Sequence, residues 1–187
     1  MNLHVTFVRH RGERDQVHVT RADATTCHWS FPTYGDQLPH DLCHLIVEEL
    51  LHIANGFWGL VEQGMEVRVI DNQATLIKNG HPIFEQSGFD ASDLIRAEEA
   101  VALLAPIGMQ VIGAGSLAVA TRLESGSTEQ RQNGAMPGLG FSLPAEAAAD
   151  SAALIRERLI QLQREWASLP DGGSITLPFK RSHSYAS

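Results

Sequence analysis

The stretch "LPHDLCHLIVEELLHIANGFWGLVEQG", residues 38–64, decides the fold because it carries two patterns at once. Leu42, Ile46, Leu50, Ile53 and Phe57 recur at three- and four-residue spacing, which predicts a helix from near Leu38 with one buried stripe. His40, His44, Glu48 and His52 are successive i+4 neighbours on another side, with Asp41 and Asn55 beside them. Asp36 is placed to cap this helix, and Pro39 fits its first turn, where an amide has no partner anyway. Gly56 and Gly59, in "NGFWG", kink or end it.

Before the helix, the chain alternates. Leu3, Val5 and Phe7, then Val17 and Val19, then Cys27, Trp29 and Phe31 keep one phase, with polar separators between them. Period two with β-branched and aromatic residues predicts a three-stranded antiparallel meander. Trp29, Phe31, Ile46 and Ile53 are then expected to be buried where the sheet meets the helix.

After it, "MEVRVI" and "ATLIKNGHPIF" suit short strands, and a second helix is expected over about 91–105, capped by Asp90 or Ser92 and followed by Pro106. Polar, glycine-rich "ESGSTEQRQNGAMPGLG" is expected to be a long loop. The longest helix is expected over about 144–168, with Leu154, Leu159, Leu162 and Trp166 inward, then a turn at "PDGG" and a closing strand "SITLPF". The expectation is an α+β fold: the N-terminal sheet packed on helices, a long C-terminal helix and the closing strand. Residues 1–179 are read as one domain and 180–187 as a flexible tail.

Composition excludes more than it identifies. A formal net charge of −8, with 14 Lys and Arg scattered along the chain, opposes nucleic-acid binding. Two cysteines, Cys27 and Cys43, make no disulfide framework, and their phases place both in the core. The first residues carry no secretory pattern, so a cytoplasmic location is expected. Residues 100–121 hold no charged side chain but are broken by Pro106, Gln110 and glycines, which argues against a membrane span. "VIGAGSLA" has Gly113, Gly115 and Ala118 in dinucleotide-fingerprint spacing, yet no second strand and acid follow it, so it is set aside.

Chemistry concentrates on the helix row. Imidazoles one turn apart can share a metal ion, and a carboxylate a turn further can add an oxygen. His40, His44 and Glu48 are the candidate ligands, with Asp41 orienting a histidine through its other nitrogen. His40 and Glu48 are eight positions apart, ~12 Å along a helix, so not all three can reach one ion. The missing ligand is sought elsewhere, at His81 or on a partner subunit. A second set lies on the polar face of the meander, where Thr6, His18 and His28 fall roughly opposite one another if the turns centre near Gly12 and Asp23. An exposed sheet face is its plainer explanation, with a zinc site or proton-sensitive pair as the alternative.

"LPHDLCHLIVEE" with "GFWG", and the later "REWASLPDGGSITL", resembles a group of uncharacterised bacterial proteins with a Leu-Pro-His-Asp, His, Val-Glu helix. The resemblance covers about the first sixty residues and the C-terminal segment. It draws attention to Pro39, His40, Asp41, His44 and Glu48 and implies no particular activity. The leading functional expectation is therefore an interaction or ligand-binding surface formed by His40, Asp41, His44, Glu48 and His52. The alternative is a hydrolase dependent on a divalent metal such as zinc. A homodimer is expected because Leu45, Leu51, Trp58 and the alanine-rich helix offer more apolar surface than one small core needs.

Overall fold

The computed structural model describes residues 3–33, 35–105 and 145–181. The fold is α+β. Strands β1 (Leu3–Val8), β2 (Arg14–Thr20) and β3 (Thr26–Pro32) form the expected meander. The closing strand β7 (Ser174–Phe179) pairs antiparallel with β1, giving a four-stranded sheet in the order β3-β2-β1-β7. Pro178 is tolerated there because β7 is an edge strand. Between the two halves lie α1 (His40–Leu50), α2 (Phe57–Glu62), the hairpin strands β4 (Glu66–Ile70) and β5 (Gln73–Lys78), the short β6 (His81–Pro82), α3 (Ser92–Leu104) and α4 (Ala145–Ser168). Strands β4, β5 and β6 make a second antiparallel sheet.

Alternation sorts the main sheet into two faces. Leu3, Val5, Phe7, Val17, Val19, Trp29, Phe31, Ile175, Leu177 and Phe179 point into the core, where Ile46 and Ile53 are also buried. On the other face Thr6 pairs with His18, and His18 with His28, the alignment expected for turns centred near Gly12 and Asp23. Cys43 is buried and Cys27 half-buried.

Helix α1 is buried nearly all round: seven consecutive residues, Leu42 to Glu48, are out of solvent. It packs on α2, α3 and α4 as well as under the sheet, so it is the centre of the molecule rather than a surface helix. This corrects two expectations. Leu45, Leu51 and Trp58, which together with the alanine-rich helix led to the expectation of a homodimer, are core residues and offer no docking surface. Asp36 does not cap α1; Pro39 occupies the cap position, and the Asp36 carboxylate pairs with Arg9.

The helix also stops earlier than its apolar pattern. His52 turns left-handed, with φ of 54°. Its amide donates to the Glu49 carbonyl at 3.3 Å and the Ile53 amide to the Glu48 carbonyl at 2.9 Å. That pair of bonds is a Schellman ending, normally built on glycine, here built on histidine. His52 is consequently exposed and lies off the row.

On α4 the inward stripe is Ile155, Leu159, Leu162 and Trp166; Leu154 is exposed, one position out of phase with expectation. Among the described residues no helix is long and apolar enough to cross a membrane. The glycine pair of "VIGAGSLA", the expected loop over 124–140 and most of the uncharged stretch lie outside the described residues.

Candidate metal centre between the two central helices

Two of the four residues in the expected row converge, and they meet a residue from elsewhere in the chain. Helix α3 lies against α1 with Ala97 and Ala100 buried, and small side chains there permit close approach of the backbones. Glu98, between them in sequence, reaches across to α1. Its Oε2 lies 3.5 Å from His40 Nε2, and its Oε1 lies 3.4 Å from His44 Nε2. The two Nε2 atoms are 3.1 Å apart. His40, His44 and Glu98 thus offer three ligand atoms to one point.

Glu48 is not the third member. It is fully buried behind His44, with Oε1 3.5 Å from His44 Nδ1. Its Oε2 accepts the backbone amides of Trp58 at 2.9 Å and Gly59 at 3.4 Å, so it serves as the cap at the start of α2. The "NGFWG" glycines now have a packing reason. A Cβ on Gly56 would lie 2.4 Å from the Glu48 Cδ, and one on Gly59 would lie 2.1 Å from the Ala54 carbonyl oxygen. Both must be bare for the chain to fold back over α1.

Asp41 takes a structural position. Its Oδ2 accepts the Trp29 indole N–H at 3.1 Å, and its carbonyl accepts that of Trp58 at 2.8 Å, joining the helix to the sheet. Burial pushes its carboxyl upward, against the pull of His40 and the Trp29 bond. It is Glu48, rather than Asp41, that stands behind a ring nitrogen. His52 is absent from the cluster, and His81 is exposed on β6. His18 and His28 do stack, with ring centroids 6.0 Å apart, but they are exposed on the outer sheet face. Among the described residues they join no group of three possible ligands.

Electrostatics mark the cluster as a place for a cation. Burial alone would lower the His44 pKa; Glu48 and Glu98 reverse this and push it up to about 10. Glu98 resists the upward push of burial because His40 and His44 hold it well below the usual carboxylate range. Burial raises Glu48, with His44 and the α2 amides opposing. Three buried atoms, His44 Nδ1, Glu48 Oε1 and Glu98 Oε2, have no hydrogen-bond partner. Buried polar atoms left without partners cost ~1–3 kcal/mol each, so their concentration at one spot needs a reason.

Sequence reasoning missed Glu98, although a trace was present. Leu94, Ala97, Val101 and Leu104 form the inward stripe of α3, and Glu98 sits at i+4 from Leu94 and i−3 from Val101. An acid on an apolar stripe is the signal that could have found it. No family model, curated protein or solved structure matches the chain.

Proposed function

We propose that His40, His44 and Glu98 bind one divalent cation, zinc first among candidates, and that the protein uses it for hydrolysis. The observation that carries this reading is the convergence of the three side chains, which each place one ligand atom within 4.8 Å of the others. Bonds of ~2.0–2.2 Å to a tetrahedral zinc set donor atoms about 3.4 Å apart, a separation within that spread.

Two imidazoles and one carboxylate leave a fourth position for water, the pattern of catalytic rather than structural zinc. The His40 and Glu98 side chains keep 12% and 21% of their exposure, which gives that position a way to solvent. A bound ion there would lower the pKa of its water to ~7 and polarise the bond to be cleaved. The competing reading, an interaction surface, has less support, because His44 and Glu48 are closed off beneath α3 and only the rims of His40 and Glu98 face outward.

The test is the metal content of untagged protein by mass spectrometry, followed by calorimetric zinc titration. One equivalent is expected for the native chain. His44→Ala and Glu98→Ala should each weaken binding by roughly 100-fold or more, since the two remaining ligands cannot enforce the geometry. A native chain that takes up no metal, or variants that keep full affinity, would overturn the proposal. Zinc-dependent turnover of ester and phosphoester substrates, lost in the same variants, tests the hydrolytic part.

A further inference from the structure

We infer that Glu48 is the positioning residue of this centre: it holds the proton of His44 on Nδ1 and so keeps the Nε2 lone pair aimed at the ion. The inference rests on the metal reading above and adds a residue that reading does not use.

A neutral imidazole carries one ring proton, and only the bare nitrogen can bind a metal. His44 presents Nε2 to His40 and Glu98, and Nδ1 to Glu48. Nδ1 and Glu48 Oε1 are both buried, both without a hydrogen-bond partner, and 3.5 Å apart, so each is the other's available partner. A shift of a few tenths of an ångström closes that gap, as happens when such sites fill. Glu48 cannot turn away, because Oε2 is pinned by the Trp58 and Gly59 amides and the bare Cα of Gly56 walls the carboxylate in. The carboxylate therefore joins two jobs in one side chain, capping α2 with one oxygen and orienting His44 with the other.

The two jobs make Glu48→Gln an informative variant. The Trp58 and Gly59 amides are donors, so the glutamine must place its carbonyl oxygen toward them. Its NH2 group then faces Nδ1 and can only donate. Nδ1 becomes the acceptor, the ring proton moves to Nε2, and Nε2 is blocked. A change of one atom with almost no change of shape should thus leave the cap in place and invert the histidine.

The experiment uses histidine-15N-labelled full-length chain, read by the ring-nitrogen chemical shifts of His44 together with zinc titration. In zinc-loaded native protein, Nδ1 should carry the proton and Nε2 the metal. Glu48→Gln should melt within a few degrees of the native chain, carry its neutral-ring proton on Nε2 and bind zinc roughly 10–100-fold more weakly. Native-like affinity in Glu48→Gln would overturn the inference while leaving the metal reading intact. A zinc-loaded native protein with Nε2 protonated would overturn it even if the variant failed to fold. A native chain that bound no zinc would overturn the metal reading and the positioning role with it.

Discussion

Two clusters of polar side chains are buried in different parts of the fold, and they differ in kind. Arg9 follows β1 and is 3% exposed. Its guanidinium donates to the carbonyls of Trp166 at 2.8 Å, Ala167 at 2.9 Å and Leu169 at 3.4 Å, and pairs with the Asp36 carboxylate. These are the open carbonyls at the C-terminal end of α4, where a cation also meets the favourable end of the helix dipole. Between α1 and α3, by contrast, His44, Glu48 and Glu98 each leave a buried atom without a partner. The first cluster is complete as it stands and fastens the long helix to the sheet. The second is organised around something it can still accept. Burial alone does not distinguish structure from function; the balance of donors and acceptors does.

The largest effect should come from breaking the complete cluster. Arg9→Met keeps the stem and removes the donors: the Ala167 carbonyl loses its side-chain partner, those of Trp166 and Leu169 keep only the Leu169 amide and the Arg11 guanidinium, and Asp36, whose side chain is 77% exposed, can rehydrate. The loss should be about 3 kcal/mol, a fall in Tm of roughly 6–12 °C for a chain of this size. Zinc affinity of the folded protein should not change. Calorimetric melting checks the first statement and titration the second; a Tm within 2 °C of native would break the contrast.

Gly56→Ala should come next. The new Cβ collides with the Glu48 carboxylate, which must leave the Trp58 amide to make room. A cost of about 1–3 kcal/mol is expected from overpacking and the lost cap. Metal affinity should fall as well, because the same movement releases His44. Denaturant unfolding and zinc titration of one variant would show whether the two losses come together. Loss of stability with affinity untouched would separate Glu48 from the centre.

The parts legible in the sequence were those set by a local period. Alternation gave the inward face of β1 to β3; their register was open, and the alignment of Thr6, His18 and His28 is the one expected for turns centred near Gly12 and Asp23. The i+4 spacing rightly joined His40 to His44. What escaped was decided by contacts distant in sequence or by an atypical ending. Glu98 lies 54 positions beyond His44 and 58 beyond His40. Leaving the row, His52 occupies a left-handed position where glycine is the usual marker of a helix end. That α1 would be buried on all sides, making core residues of Leu45, Leu51 and Trp58, depended on the later helices α3 and α4 packing over it.

A smaller effect on stability is expected from Glu98→Leu. The leucine completes the apolar stripe of α3 and leaves His44 facing Glu48 alone, and buried charges are often replaced by apolar groups at little cost. Tm without metal should move by no more than a few degrees, whereas zinc binding should vanish. In the native chain without metal, His44 is held near 10, above its unfolded 6.5. The stability it contributes is complete below about 6.5 and fades as the pH climbs through about 10. That alkaline decline should be shallower in Glu98→Leu, which lacks one of the two carboxylates that raise the imidazole. Equal slopes from pH 7 to 10 in denaturant titrations would show that His44 is not what the cluster holds charged.

The mildest probe reads how tightly the second cluster is closed without mutating it. Cys43 precedes His44 on α1 and is buried, and burial together with the Asp41 charge pushes its thiol up to about 12. Cys27 is half-buried beside Arg21; burial raises its thiol too, but the guanidinium opposes the rise. Thiolate is the reactive form, so at pH 8 an alkylating reagent should label Cys27 first and Cys43 only through opening of the packing around α1. An ion held by His40 and His44 of α1 and by Glu98 of α3 would tie together the helices that must part for that opening. Saturating zinc should therefore slow Cys43 labelling several-fold, since any ligand bound only to the closed form lowers the open population in proportion to its occupancy. The rate at Cys27, on β3, should stay the same, which makes it the internal control. Equal slowing at both thiols would point to zinc capturing the thiols or the reagent, and no slowing at Cys43 would mean that the ion does not bridge the two helices.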